Sequence, residues 1–136
     1  MKHTMALRTI CLYFSATLLG ACTSVPSQNE VAKADYGIDM STRDCVTAAE
    51  QTIASGLKDP GSAQFTHAPC EKGYWQSVPI MGMSVAFGYF QKGSVNAKNA
   101  YGGYVGFRPY SALIRNGRVI RYCISDSNGI CIPTGQ

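Results

Sequence analysis

A chain of 136 residues, 46% hydrophobic and 15% charged, is long enough for one modest core and ordinary for a globular protein, with 14 glycines and 8 tyrosines leaning towards β structure and tight turns. From Cys22 onward 10 Lys plus Arg stand against 8 Asp plus Glu, a charge of only +2, and no basic run interleaves with aromatics, which excludes a nucleic-acid-binding footprint.

The first 21 residues have the three parts of a secretory signal: a positive head of Lys2, His3 and Arg8, an apolar run from Ile10 to Leu19, and the small residues Gly20 and Ala21. The run is about half the roughly 20 residues that a membrane-spanning helix needs. Its end, Leu19-Gly20-Ala21-Cys22, resembles the lipobox of bacterial lipoproteins. That resemblance implies cleavage before Cys22 and covalent lipid on its sulfur and amino group, with no other cofactor. Two or three acyl chains, at about 0.8 kcal/mol per buried methylene, make such an anchor essentially permanent. Thr23 after the cysteine, where Asp is the inner-membrane retention signal of enterobacterial lipoproteins, implies sorting to the outer membrane. The alternative is a plain signal peptide that leaves Cys22 as a stray thiol.

Residues 22–40 are polar and small without apolar period, which predicts a lipidated flexible tether ahead of a single domain over 41–136. Ser41 or Thr42 then opens a helix, with Asp44 near its positive end and Cys45, Val46, Ala49, Ile53 and Leu57 forming one apolar stripe. Gly56 and Asp59-Pro60-Gly61 stop it. β patterning follows: a short strand with Ala63, Phe65 and His67 on one side, another from Tyr74 to Val78, a third around Val85–Phe90, and a fourth from Tyr104 to Ile114. Asn116-Gly117 predicts a type I′ hairpin returning through Arg118–Ile124, and Asp126–Gly129 a further turn. The fold class expected is α+β, one N-terminal helix packed on a small antiparallel sheet and held by two disulfides.

With Cys11 in the signal run and Cys22 at the cleavage site, Cys45, Cys70, Cys123 and Cys131 remain, an even number in a small exported domain. Their spacing is too wide for the paired ligands of a zinc site. The helix runs out and the first strand back by similar lengths, about 18 and 20 Å, which favours Cys45–Cys70 with Cys123–Cys131. Pairings of Cys45 with Cys123 or Cys131 stay open.

The segments Leu57-Lys58-Asp59-Pro60-Gly61-Ser62-Ala63-Gln64-Phe65 and Val95-Asn96-Ala97-Lys98-Asn99-Ala100-Tyr101-Gly102-Gly103-Tyr104-Val105-Gly106-Phe107 resemble a functionally uncharacterised type of small exported bacterial protein. Such proteins carry Cys-Gly ahead of the second segment, where this chain has Lys92-Gly93, so their disulfide pattern does not transfer. The resemblance implies one α+β domain and no activity. Asn96, Lys98, Asn99, Tyr101 and Tyr104 are the candidate binding residues, as donors and rings on a flexible diglycine loop, although the same residues also suit a simple left-handed turn. The apolar Ile80-Met81-Gly82-Met83 stretch is a second, adaptable candidate, or else core or a hairpin tip. His67, the one histidine after Cys22, lacks a second imidazole for a metal site of usual composition and a free thiol for a nucleophile pair, and no nucleophile elbow, phosphate loop or paired carboxylate is present. The expectation is a non-enzymatic outer-membrane lipoprotein whose domain faces the periplasm and binds another envelope protein, as accessory subunit or inhibitor; a ligand- or cell-wall-binding module using Tyr101 and Tyr104 is the alternative.

Overall fold

The computed structural model describes residues 25–77 and 84–131. Cys22 and the signal segment, the Ile80–Met83 stretch and the tail beyond Cys131 lie outside the described residues. Among the described residues two helices, α1 (Gln28–Lys33) and α2 (Thr42–Ser55), precede a 3-10 turn at Pro60–Ser62 and five strands: β1 (Gln64–His67), β2 (Glu71–Gln76), β3 (Val85–Asn96), β4 (Arg108–Arg115) and β5 (Arg118–Ile124). All pairings are antiparallel. This is the expected α+β arrangement, one main helix packed on a small sheet with two disulfides.

α2 starts where hydroxyl chemistry puts it. The Ser41 hydroxyl accepts from the Asp44 amide at 3.2 Å, while the Asp44 carboxylate accepts from the Ser41 hydroxyl at 2.7 Å and the Ser41 amide at 3.2 Å. These bonds from Ser41 hold the Asp44 carboxyl below its ordinary pKa. Cys45, Ala49 and Ile53 are buried against Tyr89 and Val95 of β3 and Tyr110, Ala112 and Ile114 of β4, with Leu57 at the edge of that core. Full burial contributes about 1.5 to 3 kcal/mol for each isoleucine.

β3 organises the sheet. Its first half pairs with β2, from Val85 opposite Gln76 to Phe90 opposite Glu71, and its second half pairs with β1, from Gly93 opposite His67 to Asn96 opposite Gln64. β4 runs along its other side, and β5 closes the order. The strand expected around Val85–Phe90 therefore continues to Asn96, and the one expected from Tyr104 begins only at Arg108. Gly106 explains the later start, because its φ of +93° turns the chain out of extended geometry. The β4–β5 hairpin turns at Asn116 and Gly117, both with positive φ, as a type I′ turn requires.

Residues 25–40 correct the expected tether. Ser27 and Glu30 form a second capping box that opens α1, and from Tyr36 onward the chain is fastened to the sheet. The Tyr36 ring meets Phe87 edge-on at 5.7 Å, and Tyr36 and Met40 pack against the core. Arg115 binds the Asp35 carboxylate and, at 2.9 Å, its carbonyl. The Ile38 amide donates to the Asn116 side chain at 3.0 Å, and the Tyr89 hydroxyl donates to Asp39 at 2.8 Å. These partners lie 50 to 80 residues away in sequence, so no local apolar period announces the docking.

Both disulfides have the favoured pairing. Cys45–Cys70 ties the first turn of α2 to the chain entering β2, and Cys123–Cys131 closes the turn after β5.

Candidate functional site

The connection between β3 and β4, residues 97–107, carries the site. Its shape comes from two asparagines. The Asn99 side-chain oxygen accepts from the amides of Tyr101 at 2.9 Å and Gly103 at 3.1 Å, and its backbone exchanges bonds with Gly103 and Gly102. The Asn96 side-chain oxygen accepts from the Gly106 amide at 3.0 Å. Lys98 bridges to Tyr104 in a short antiparallel contact and lays its ammonium 5.6 Å from the centre of that ring, a cation–π geometry.

The turn after α2 braces this loop. Ser62 donates its hydroxyl to the Asp59 carbonyl at 2.9 Å and accepts from the Lys98 amide at 2.9 Å, while Gln64 pairs with Asn96 across β1 and β3. The two distinctive sequence segments, 57–65 and 95–107, thus meet and form one structural unit.

The loop presents apolar surface outward. Tyr101 is 96% exposed, and Tyr104, Val105 and Phe107 are each about half exposed, four of the seven large apolar side chains exposed among the described residues. Of the five candidate residues, Asn96 and Asn99 spend their amide oxygens on the loop itself, Lys98 and Tyr104 contact each other, and Tyr101 stands free. Val105 and Phe107 escaped the sequence reading because their alternation was assigned to a strand. The signal against that strand is Gly106 between them.

A second cluster joins the helix to the sheet. His67 on β1 contacts the Glu50 carboxylate through Nε2 at 2.9 Å and the Tyr110 hydroxyl through Nδ1 at 2.8 Å. Burial pushes the Tyr110 phenol above its ordinary pKa. Beside it Gln91 is fully buried: its amide nitrogen donates to the carbonyls of Ala68 and Lys92, while its side-chain oxygen has no partner among the described residues. His67, which the sequence places on β1 without a metal or nucleophile partner, is a cross-layer hydrogen-bonding residue whose partners come from α2 and β4. Among the described residues no group of three or more His, Cys, Asp or Glu side chains is placed to hold a metal ion, and no helix is long and apolar enough to cross a membrane.

Fold and loop together define a small disulfide-bonded α+β domain with an apolar, internally braced hairpin loop. Comparison with protein-family models, curated proteins and solved structures finds no match for this chain.

Proposed function

We propose that this is a non-enzymatic lipoprotein of the bacterial outer membrane, anchored through Cys22, whose loop from Asn96 to Phe107 binds another envelope protein. It serves there as an accessory subunit of an envelope complex or as an inhibitor. The observation that carries the reading is the exposure of Tyr101, Tyr104, Val105 and Phe107 on a loop held by its own asparagines. Exposed aromatic groups on a shaped backbone lose little conformational freedom on binding, and such anchors dominate protein interfaces. The asparagine oxygens are taken up by the loop's own backbone, and the surface left outward is chiefly aromatic and apolar, which suits a protein partner.

Affinity capture of the lipidated protein from its own envelope, beside the Tyr101→Ala and Phe107→Ala variants, tests this. A partner recovered with the wild type is expected to bind each variant about 2 kcal/mol more weakly, roughly thirty-fold, with both disulfides intact. Equal binding of wild type and variants would remove the loop from the interface. Retention of the soluble domain on peptidoglycan, abolished by changing Tyr101 and Tyr104 to Ala, would favour the cell-wall reading instead.

A further inference from the structure

We infer that the α1 end of the domain rests on the bilayer, so that the 97–107 loop is held at the far end, pointing away from the membrane. The inference depends on the anchor at Cys22 proposed above and adds an orientation to it.

The first described residue, Val25, lines an apolar groove of about 590 Å³ with Pro26 and Lys33 from the arm, Val85 and Phe87 from β3, and Arg115 from β4. Cys22 lies three residues before Val25, and three residues span at most about 10 Å. Because residues 34–40 are fastened to Phe87, Tyr89, Arg115 and Asn116, the arm adds no slack. Acyl chains on Cys22 therefore enter the bilayer beside this groove, and lipid covers its apolar walls.

Charge fits the same occupant. Of the acids at this end, Asp35 is paired with Arg115 and Asp39 with Lys72, while Glu30, bonded to the uncharged Ser27, keeps its charge; with Lys33 and Arg118 counted, the end carries one net positive charge. Lys33 and Arg118 form no ion pair among the described residues and are available to anionic headgroups. β3 sets the distance to the other end. Val85 lies at the groove and Asn96 at the root of the loop, and eleven strand steps between them span about 35 Å.

The test uses the full lipidated protein in phosphatidylethanolamine vesicles containing phosphatidylglycerol and a headgroup-attached quencher, with a fluorescent residue introduced in turn at Asn29, Arg118 or Tyr101. Emission is expected to be lost at Asn29 and Arg118 and retained at Tyr101. In an Arg115→Ala, Asp39→Ala background, which frees the arm, quenching is expected to persist at Asn29 and to disappear at Arg118. Intact mass separates the two readings. A missing lipid adduct overturns the anchor and this orientation with it, whereas a present adduct with equal quenching at all three positions, or the strongest at Tyr101, overturns the orientation alone.

Discussion

Among the described glycines, Gly93 is the one where an added side chain meets the tightest contact. A Cβ placed there would lie 1.9 Å from the Thr66 carbonyl oxygen and 2.8 Å from the Tyr110 ring, so β1 and the core tyrosine would both have to move. Backbone, unlike a flexible side-chain end, does not give way cheaply. Gly93→Ala is therefore expected to destabilise the domain by about 3 kcal/mol, at the upper end of ordinary overpacking, as measured by urea unfolding. Ala substitution at Gly102, where no atom lies within 4 Å, meets no such clash, although its positive φ still strains the turn. Nothing in the run Lys92-Gly93-Ser94 marks its glycine as different from Gly102, because the constraint arises from β1, paired with it across more than 25 residues. The asparagines of the loop are a different case. Their amides suit either ligand donors or turn acceptors in sequence, and the fold decides for the second, because both oxygens accept from neighbouring backbone.

At the scale of elements, legibility follows the range of the forces involved. α2 has its cap, its apolar stripe and its stop within 20 residues, and the Asn116-Gly117 hairpin needs only local backbone preference, so both could be read directly. The Cys45–Cys70 pairing was favoured by comparing the helix's length with that of the returning strand. α1 and the 34–40 segment were not legible, because what holds them is contributed by β3, β4 and the hairpin. The two disulfides close loops of different size, separated by 25 and 8 residues. Chain entropy then makes them unequal: about 3.5 kcal/mol for Cys45–Cys70 against about 2.5 for Cys123–Cys131. Thermal unfolding of the two paired Cys→Ala variants is expected to rank them in that order. The larger effect belongs to the bond that crosses between the layers, and equal destabilisation would mean that the unfolded chain already holds α2 near β2.

Across the whole molecule, charge is divided along the chain. Between Glu71 and Asp126 there are seven cations and no acid, while every other acidic residue precedes Lys72. The arm is where the two populations meet: Asp35 binds Arg115, and Asp39 receives the Tyr89 hydroxyl at 2.8 Å and lies 3.6 Å from Lys72. The Tyr89 hydrogen bond first, and the Lys72 charge second, hold the Asp39 carboxyl below the ordinary aspartate value of 3.8. A carboxyl depressed in the folded state stabilises it above the unfolded pKa, and that contribution disappears as pH falls through the lower folded value. Acid is therefore expected to loosen the arm, and because Asp39 is exposed the loss is local rather than global. Amide exchange followed by mass spectrometry, corrected for intrinsic pH dependence, should show weaker protection in peptides covering Tyr36–Met40 at pH 3 than at pH 6, with α2 unchanged beyond its first turn, where the Asp44 cap is itself acid-sensitive. Asp39→Asn retains an acceptor for Tyr89 but removes the charge, so it should loosen the arm at pH 6 and flatten the pH dependence. If protection of the arm and of the later turns of α2 falls together, the arm belongs to the core's cooperative unit, and the Asp39 carboxylate does not control its release. If the arm alone responds, it is a docked strut at neutral pH that acid releases independently of the core.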